Sequence, residues 1–268
     1  MNNAIAVMDS GVGGLTVVKE ILRQLPQEKI VYFGDTARTP YGPRDPEEVI
    51  RFTREIVDYL IHFKPKMLVI ACNTATAVAL EDIRSRVDIP VVGVIKPGAR
   101  AAIKSSVNGK IGVIGTIGTI RSGAYETALK EISPWTEVVS LACPRLVPLV
   151  ENDQFESEEA YTVVRESLIE LQKHTMDCLI LGCTHYPFLA PIIAEVMGPE
   201  VKLISSDEET AREVSTILSY GNQLAQNEDV PVHQFFCSGD PVIFRKIASA
   251  WLDKQLERSP VVWQVPSI

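Results

Sequence analysis

Several things are scarce in this chain, and each scarcity removes a class of function. Of 268 residues, 34 are Asp or Glu against 26 Lys or Arg, a formal charge of −8, so a basic face for nucleic acid is not expected. Long apolar runs are missing. The longest candidate, residues 67–80, is broken by Asn73, Thr74 and Thr76, short of the about 20 apolar residues that span a bilayer. The start of the chain lacks a basic segment followed by an uninterrupted apolar one and carries Asp9 early. No secretory signal is read there, and the cytoplasm is the expected location. Cysteines number five, an odd count without a C-x-x-C pair, which argues against a disulfide framework. In a reducing compartment they are free thiols, and Cys143, Cys178 and Cys237, in or beside apolar runs, read as small buried hydrophobes. No Gly-, Ser- or Pro-rich linker marks a domain boundary, so any domains are expected to pack against each other.

What is present is an alternation of short apolar runs with amphipathic stretches, the pattern of an α/β protein. Strands are expected at residues 4–8, 30–34, 67–71 and 91–95. A second series is expected at 111–114, 138–142, 178–182 and 201–205. Residues 46–63 place Val49, Ile50, Phe52, Ile56, Val57, Leu60 and Phe63 near one helical face, with Pro46 suited to a first turn. Residues 158–172 bring Tyr161, Val164, Leu168 and Leu171 together in the same way. The two series read as copies: Asp9 aligns with Gly115, Cys72 with Cys183 and Val91 with Val201, offsets of 106, 111 and 110 residues. The expected fold is therefore two similar open α/β domains with mostly parallel sheets, related by internal duplication, with the active site in the cleft between them. The tail adds a helix at 209–223, a strand at 232–237, a helix at 241–254 and an extended run at 261–265, and it is expected to return to the first unit. The domains are then 1–96 with 207–268, and 97–206.

The most informative feature is paired. Each copy holds an apolar strand ending in cysteine followed by small polar residues, Cys72-Asn73-Thr74 and Cys183-Thr184-His185. The residue just past a parallel strand lies at the sheet's carboxyl edge, where α/β folds bind ligands. Two thiols so placed on facing units suit an acid and a base on opposite sides of one substrate carbon. His185 is a proton partner for Cys183, since an imidazolium favours a neighbouring thiolate. Glu151 is a further acidic candidate. The segment from Asp9 and Ser10 through Gly11, Gly13 and Gly14 is a strand-to-helix turn whose amides suit a carboxylate, with Asp9 near an ammonium or a thiol. It misses the dinucleotide pattern G-x-G-x-x-G because position 16 is Thr, although Asp35 ends the second strand where a ribose-binding acid would stand. Tyr41 and Gly42 lie in a Thr-Pro-Tyr-Gly-Pro turn placed for a second carboxylate, and Thr116 and Thr119 are polar candidates beyond the fifth strand. Cys183 and His185 are two potential metal ligands, but His62, His174 and His233 fall without pattern, whereas zinc needs three or four ligands.

Together the segments DSGVGGLTV from residue 9, DTARTPYGPR from 35, ACNTATA from 71, VIGTIGT from 113 and LGCTHYPFL from 181 resemble the glutamate racemases of the aspartate/glutamate racemase family. The resemblance runs in order over most of the chain. It implies a cofactor-independent isomerase that supplies D-glutamate for peptidoglycan, with glutamate as small-molecule partner and a homodimer as assembly. It makes Cys72 and Cys183 the acid/base thiols, Cys72 taking the proton from D-glutamate and Cys183 from L-glutamate. Asp9, His185 and Glu151 assist. Substrate contacts fall to Asp9, Ser10, Tyr41, Gly42, Asn73, Thr74, Thr184 and His185. Relatives acting on aspartate or hydantoin share the two-cysteine plan, so substrate identity rests on the turn at Tyr41 and the loop at Asp9. Neither a metal nor pyridoxal phosphate is expected, there being no full ligand set and no convincing lysine site. Some relatives are activated through an N-terminal extension; here the first strand begins almost at Met1, and that mode is not expected. A two-domain amino-acid sensor is the competing reading, but it gains nothing from paired thiols.

Overall fold

The computed structural model describes residues 3–226, 230–256 and 261–264. Among these residues ten strands, β1 (Ile5–Asp9), β2 (Ile30–Gly34), β3 (Met67–Ile70), β4 (Val91–Gly93), β5 (Lys110–Gly115), β6 (Glu137–Ala142), β7 (Cys178–Gly182), β8 (Lys202–Ile204), β9 (His233–Cys237) and β10 (Val261–Gln264), form two sheets. The first has the order β10-β9-β2-β1-β3-β4 and the second β6-β5-β7-β8, and every pairing is parallel. The order β2-β1-β3-β4 recurs as β6-β5-β7-β8, which is the topology a duplication leaves. β1, β2, β3 and β7 are buried at every position, as strands covered by helices on both faces must be. β6, at a sheet edge, is only partly covered.

The helices obey local rules. Helix Pro46–Ile61 opens with Asp45 accepting the Glu47 N–H at 2.9 Å, Pro46 in its first turn, and Glu47 and Glu48 at the positive end of the dipole. Val49, Phe52, Ile56, Val57 and Leu60 form its buried face. It stops two residues before the expected end, and Lys64 then takes a left-handed backbone, φ 49°. The expected helix 158–172 is instead helix Glu158–Leu168 followed by a 3-10 turn at Leu171–Lys173. Its packed face is Ala160, Val163, Val164 and Leu168, while Tyr161 turns outward. The fourth strand is also shorter than expected, because helix Ile95–Ser105 begins where the apolar run of 91–95 was still extended.

β9 adds to the first sheet beside β2, and β10 beside β9; of the extended run, residue 265 lies outside the described residues. The chain passes between sheets through helix Ile95–Ser105, whose first turn contains Pro97, and through Ser206, just before helix Asp207–Tyr220. Among the described residues no helix is long and apolar enough to cross a membrane.

Candidate active site

The carboxyl ends of β1, β3, β5 and β7 meet where the two units face each other. Asp9 is the last residue of β1 and fully buried. Its Oδ2 accepts the Gly11 N–H at 3.0 Å, and its Oδ1 accepts the Thr184 hydroxyl of the opposite unit at 3.1 Å. Cys72 caps helix Asn73–Arg86, with the Ala75 N–H directed at its Sγ at 3.4 Å. Thr74, in the first turn of that helix, reaches Thr116 Oγ1 at 2.9 Å and Thr119 Oγ1 at 3.2 Å, forming a closed ring of three hydroxyls across the units. The Gly118 N–H donates to Gly42 O at 2.8 Å, a second backbone clasp at the same seam.

On the other side, His185 Nδ1 stands 3.7 Å from Cys183 Sγ, and His185 Nε2 bonds the Glu151 carboxylate. That carboxylate also accepts the Val12 N–H of the first unit at 3.0 Å. The glycines of the turn after β1 permit these approaches. A side chain at Gly11 would run into the Glu151 carboxyl group, and a Cβ at Gly13 would lie 2.5 Å from His185 Nδ1. By sequence the turn suits an incoming carboxylate. Its Gly11 and Val12 amides instead hold Asp9 and Glu151, so the loop organises protein carboxylates rather than presenting those N–H groups to a ligand.

Burial and charge set the protonation states. Removal from water pushes the Cys72 thiol up to about 12, with the Asp9 carboxylate adding to the rise, while the Ala75 N–H and the Ser10 hydroxyl oppose it. A helix start behind a cysteine favours thiolate. At Cys72 that helix exists but burial wins, and after Cys183 the chain enters a 3-10 turn, Tyr186–Leu189, before any α-helix. Burial raises Asp9 as well, against the pull of His185. His185 moves up despite burial, which alone would lower it, because Cys183 and Glu151 both hydrogen-bond to the ring and attract its charge. The ring is therefore an imidazolium between a carboxylate and a sulfur.

All eleven expected site residues lie in this region, though not all with the contacts expected. The Tyr41 hydroxyl is taken by Asp35, whose carboxylate also accepts from Arg38 Nε at 2.6 Å and Ser238 Oγ at 2.7 Å. Tyr41 thus anchors its turn through its side chain and leaves Gly42 at the seam. Asp35, a candidate ribose ligand by position, is the hub of that anchor. Cys143, Cys178 and Cys237 are buried free thiols. Among the described residues no cluster of three metal-ligating side chains occurs. Sequence reasoning missed Tyr125, whose hydroxyl donates to Asn73 Oδ1 at 2.7 Å. It lies in helix Ala124–Ile132 with no motif around it, and only the tertiary contact marks it.

The sequence profile of Asp/Glu/Hydantoin racemases matches residues 5–214, a span that holds both cysteines and every assisting group above. The chain belongs to that family. Over 257 residues it is 57% identical to a glutamate racemase of Bacillus cereus, covering 96% of each chain. The structure superposes on a glutamate racemase of Bacillus anthracis with TM-score 0.91 at 50% identity, covering 98% of this chain and 97% of the other. It also matches a Francisella tularensis glutamate racemase in complex with D-glutamate, TM-score 0.89 at 33% identity, covering 99% and 98%. What this racemase-family site offers chemically is a neutral, buried thiol on one unit and, on the other, a thiol beside an imidazolium, with polar side chains from both units between them.

Proposed function

We propose that this chain interconverts L- and D-glutamate with no cofactor, using Cys72 and Cys183 on opposite faces of the α-carbon. The observation that carries this reading is the chain Glu151, His185, Cys183 set across the seam from Cys72 and Asp9, in a family whose relatives at this identity are glutamate racemases. With L-glutamate, the Cα–H bond breaks, its electron pair stays on carbon, and the proton goes to Cys183 Sγ. Cys72 then gives its own proton to the other face. The resting protein suits that direction: the Cys72 thiol is protonated, and the His185 imidazolium stands beside Cys183. Release of D-glutamate leaves the mirror state, ready for the reverse reaction. Buried hydroxyl and amide groups of Ser10, Asn73, Thr74 and Thr184 are suited to hold the α-carboxylate, where fixed dipoles stabilise developing charge best. The seam at Gly42, Thr116 and Thr119 is suited to the distal carboxylate.

On the same reading the units are 1–96 with 207–268, and 97–206; the protein is a cytoplasmic homodimer, and its D-glutamate serves peptidoglycan synthesis. The test is circular dichroism of L-glutamate with enzyme alone, run beside L-aspartate and repeated after dialysis against EDTA and after hydroxylamine. Glutamate should racemise under all three conditions. Aspartate, one methylene too short to reach the distal seam, should be slower by about 10- to 150-fold, the worth of one charge-assisted hydrogen bond. Equal kcat/KM for the two amino acids would refute the glutamate assignment.

A further inference from the structure

Tyr125 is 2% exposed and touches both halves of the site at once. Its ring packs against Gly182, the residue before Cys183, where a Cβ would stand 2.9 Å from the ring. Its hydroxyl borders Gly98 together with Ser206, at 3.2 and 3.1 Å from the position of a Cβ there, so it lies beside both passages of the chain between sheets. Across the seam the same hydroxyl donates to Asn73 Oδ1 at 2.7 Å. Asn73 directly follows Cys72, is 2% exposed, and its Nδ2 has no hydrogen-bond partner among the described residues.

A carboxamide carries an acceptor and a double donor, and a half-turn exchanges them. Burial pushes the Tyr125 phenol above its ordinary range, and the neighbouring Cys183 acts in the same direction, so the hydroxyl keeps its proton at any working pH. The hydroxyl gives that proton to Oδ1, and the opposite atom, Nδ2, is left without a partner among the described residues. Buried amide donors without an acceptor are rare in folded proteins, and one beside a reactive thiol is accounted for when a ligand brings the acceptor.

We propose that Tyr125 is a positioning residue for racemisation: its hydroxyl holds the Asn73 amide in the orientation that presents Nδ2 to the substrate carboxylate. This rests on Asn73 being a substrate contact, as proposed above. Tyr125→Phe keeps the ring against Gly182 and removes only the donor, so Asn73 is free to turn its oxygen toward the carboxylate. KM for both enantiomers should rise, and kcat/KM should fall roughly 5- to 30-fold, as for loss of one oriented hydrogen bond. The deciding measurement is a double-mutant cycle with Asn73→Ala. If Tyr125 acts through Asn73, Tyr125→Phe has no further effect on kcat/KM, within twofold, once Asn73 is Ala. A merely structural role for the hydroxyl would make the two losses multiply, and that result overturns the proposal, as does wild-type behaviour of Tyr125→Phe alone. If Asn73→Ala alone leaves kcat/KM unchanged, the substrate-contact reading of Asn73 fails and the proposal fails with it. An unmutated enzyme that does not turn over glutamate would refute the racemase reading instead.

Discussion

Glu151→Gln isolates the charge behind Cys183. Gln keeps the shape of Glu and an oxygen to accept the Val12 N–H, which now reaches Glu151 at 3.0 Å, so the contact between units survives. What disappears is the negative charge beside the His185 ring. Glu151 is one of the two groups that hold the ring above its ordinary pKa. Without it, the ring falls back toward its neutral form, and the cation 3.7 Å from Cys183 Sγ is lost for much of the population. A hydrogen bond to a charged group contributes about 1.5–3 kcal/mol, so kcat/KM should drop by about 10- to 150-fold. Because enantiomers have equal free energies, the equilibrium constant is one and kcat/KM must fall equally in both directions. Any asymmetry has to be read from isotope effects. Weakening Cys183 raises the barrier for proton transfer at Cys183 alone. The α-deuterium effect on kcat/KM should therefore increase with L-glutamate as substrate and decrease with D-glutamate. The assay is circular dichroism with both deuterated enantiomers. A rate within twofold of wild type, or an isotope effect that grows for D-glutamate instead, would refute the assignment of Glu151 and His185 to Cys183.

The fold was largely legible because its signals are local. Buried parallel strands such as β1, β3 and β7 are continuous apolar runs, and a repeat of about 110 residues survives in the alignment of Cys72 with Cys183. Ends were less legible. Val94 and Ile95 are as apolar as the strand before them, yet Val94 caps and Ile95 opens a helix that packs on the second sheet. Within the site, positions at strand ends could be read from the chain, since topology alone brings Asp9, Cys72, Thr116 and Cys183 to one seam. What those residues touch could not. The Gly11 and Val12 amides look free in sequence, yet they hold Asp9 and Glu151. Tyr41 looks like a ligand contact, yet its hydroxyl belongs to Asp35. The same limit hid Tyr125, whose role depends on an atom 52 positions away in the chain. Electrostatics were the least legible: a helix start predicts thiolate at Cys72, and burial reverses the sign.

Three further outcomes are expected. Cys72→Ser and Cys183→Ser should each stop full racemisation, since a hydroxyl is a far weaker base than a thiol at neutral pH; in heavy water the unmutated enzyme should put deuterium into product while recovered substrate stays unlabelled early on. Label in recovered substrate would point to a single base. His233 is buried, accepts the Ile30 N–H at 3.2 Å, and is pushed down to about 4 by burial, with Lys29 adding to the fall. Below its unfolded pKa near 6.5 the unfolded chain binds a proton that the native ring refuses, so about 3 kcal/mol of stability is lost as pH falls from about 6.5 to 4; an NMR titration of His233 near 6.5 in the folded protein would contradict this. The last concerns close approach. A Cβ at Gly13 would stand 2.5 Å from His185 Nδ1 with the Thr184 hydroxyl nearer still, whereas a Cβ at Gly198, φ 85°, meets nothing within 4 Å. Gly13→Ala must push Thr184 off Asp9 and His185 off Cys183, and a displacement approaching 1 Å at reacting groups lowers rate by about 100-fold. Gly198→Ala strains a left-handed backbone far from the seam, so it should lower Tm and leave kcat/KM alone. If Gly13→Ala retained full activity, the two units could separate at this point without consequence, and the contact of the β1 turn with Thr184 and His185 would not be part of the catalytic arrangement.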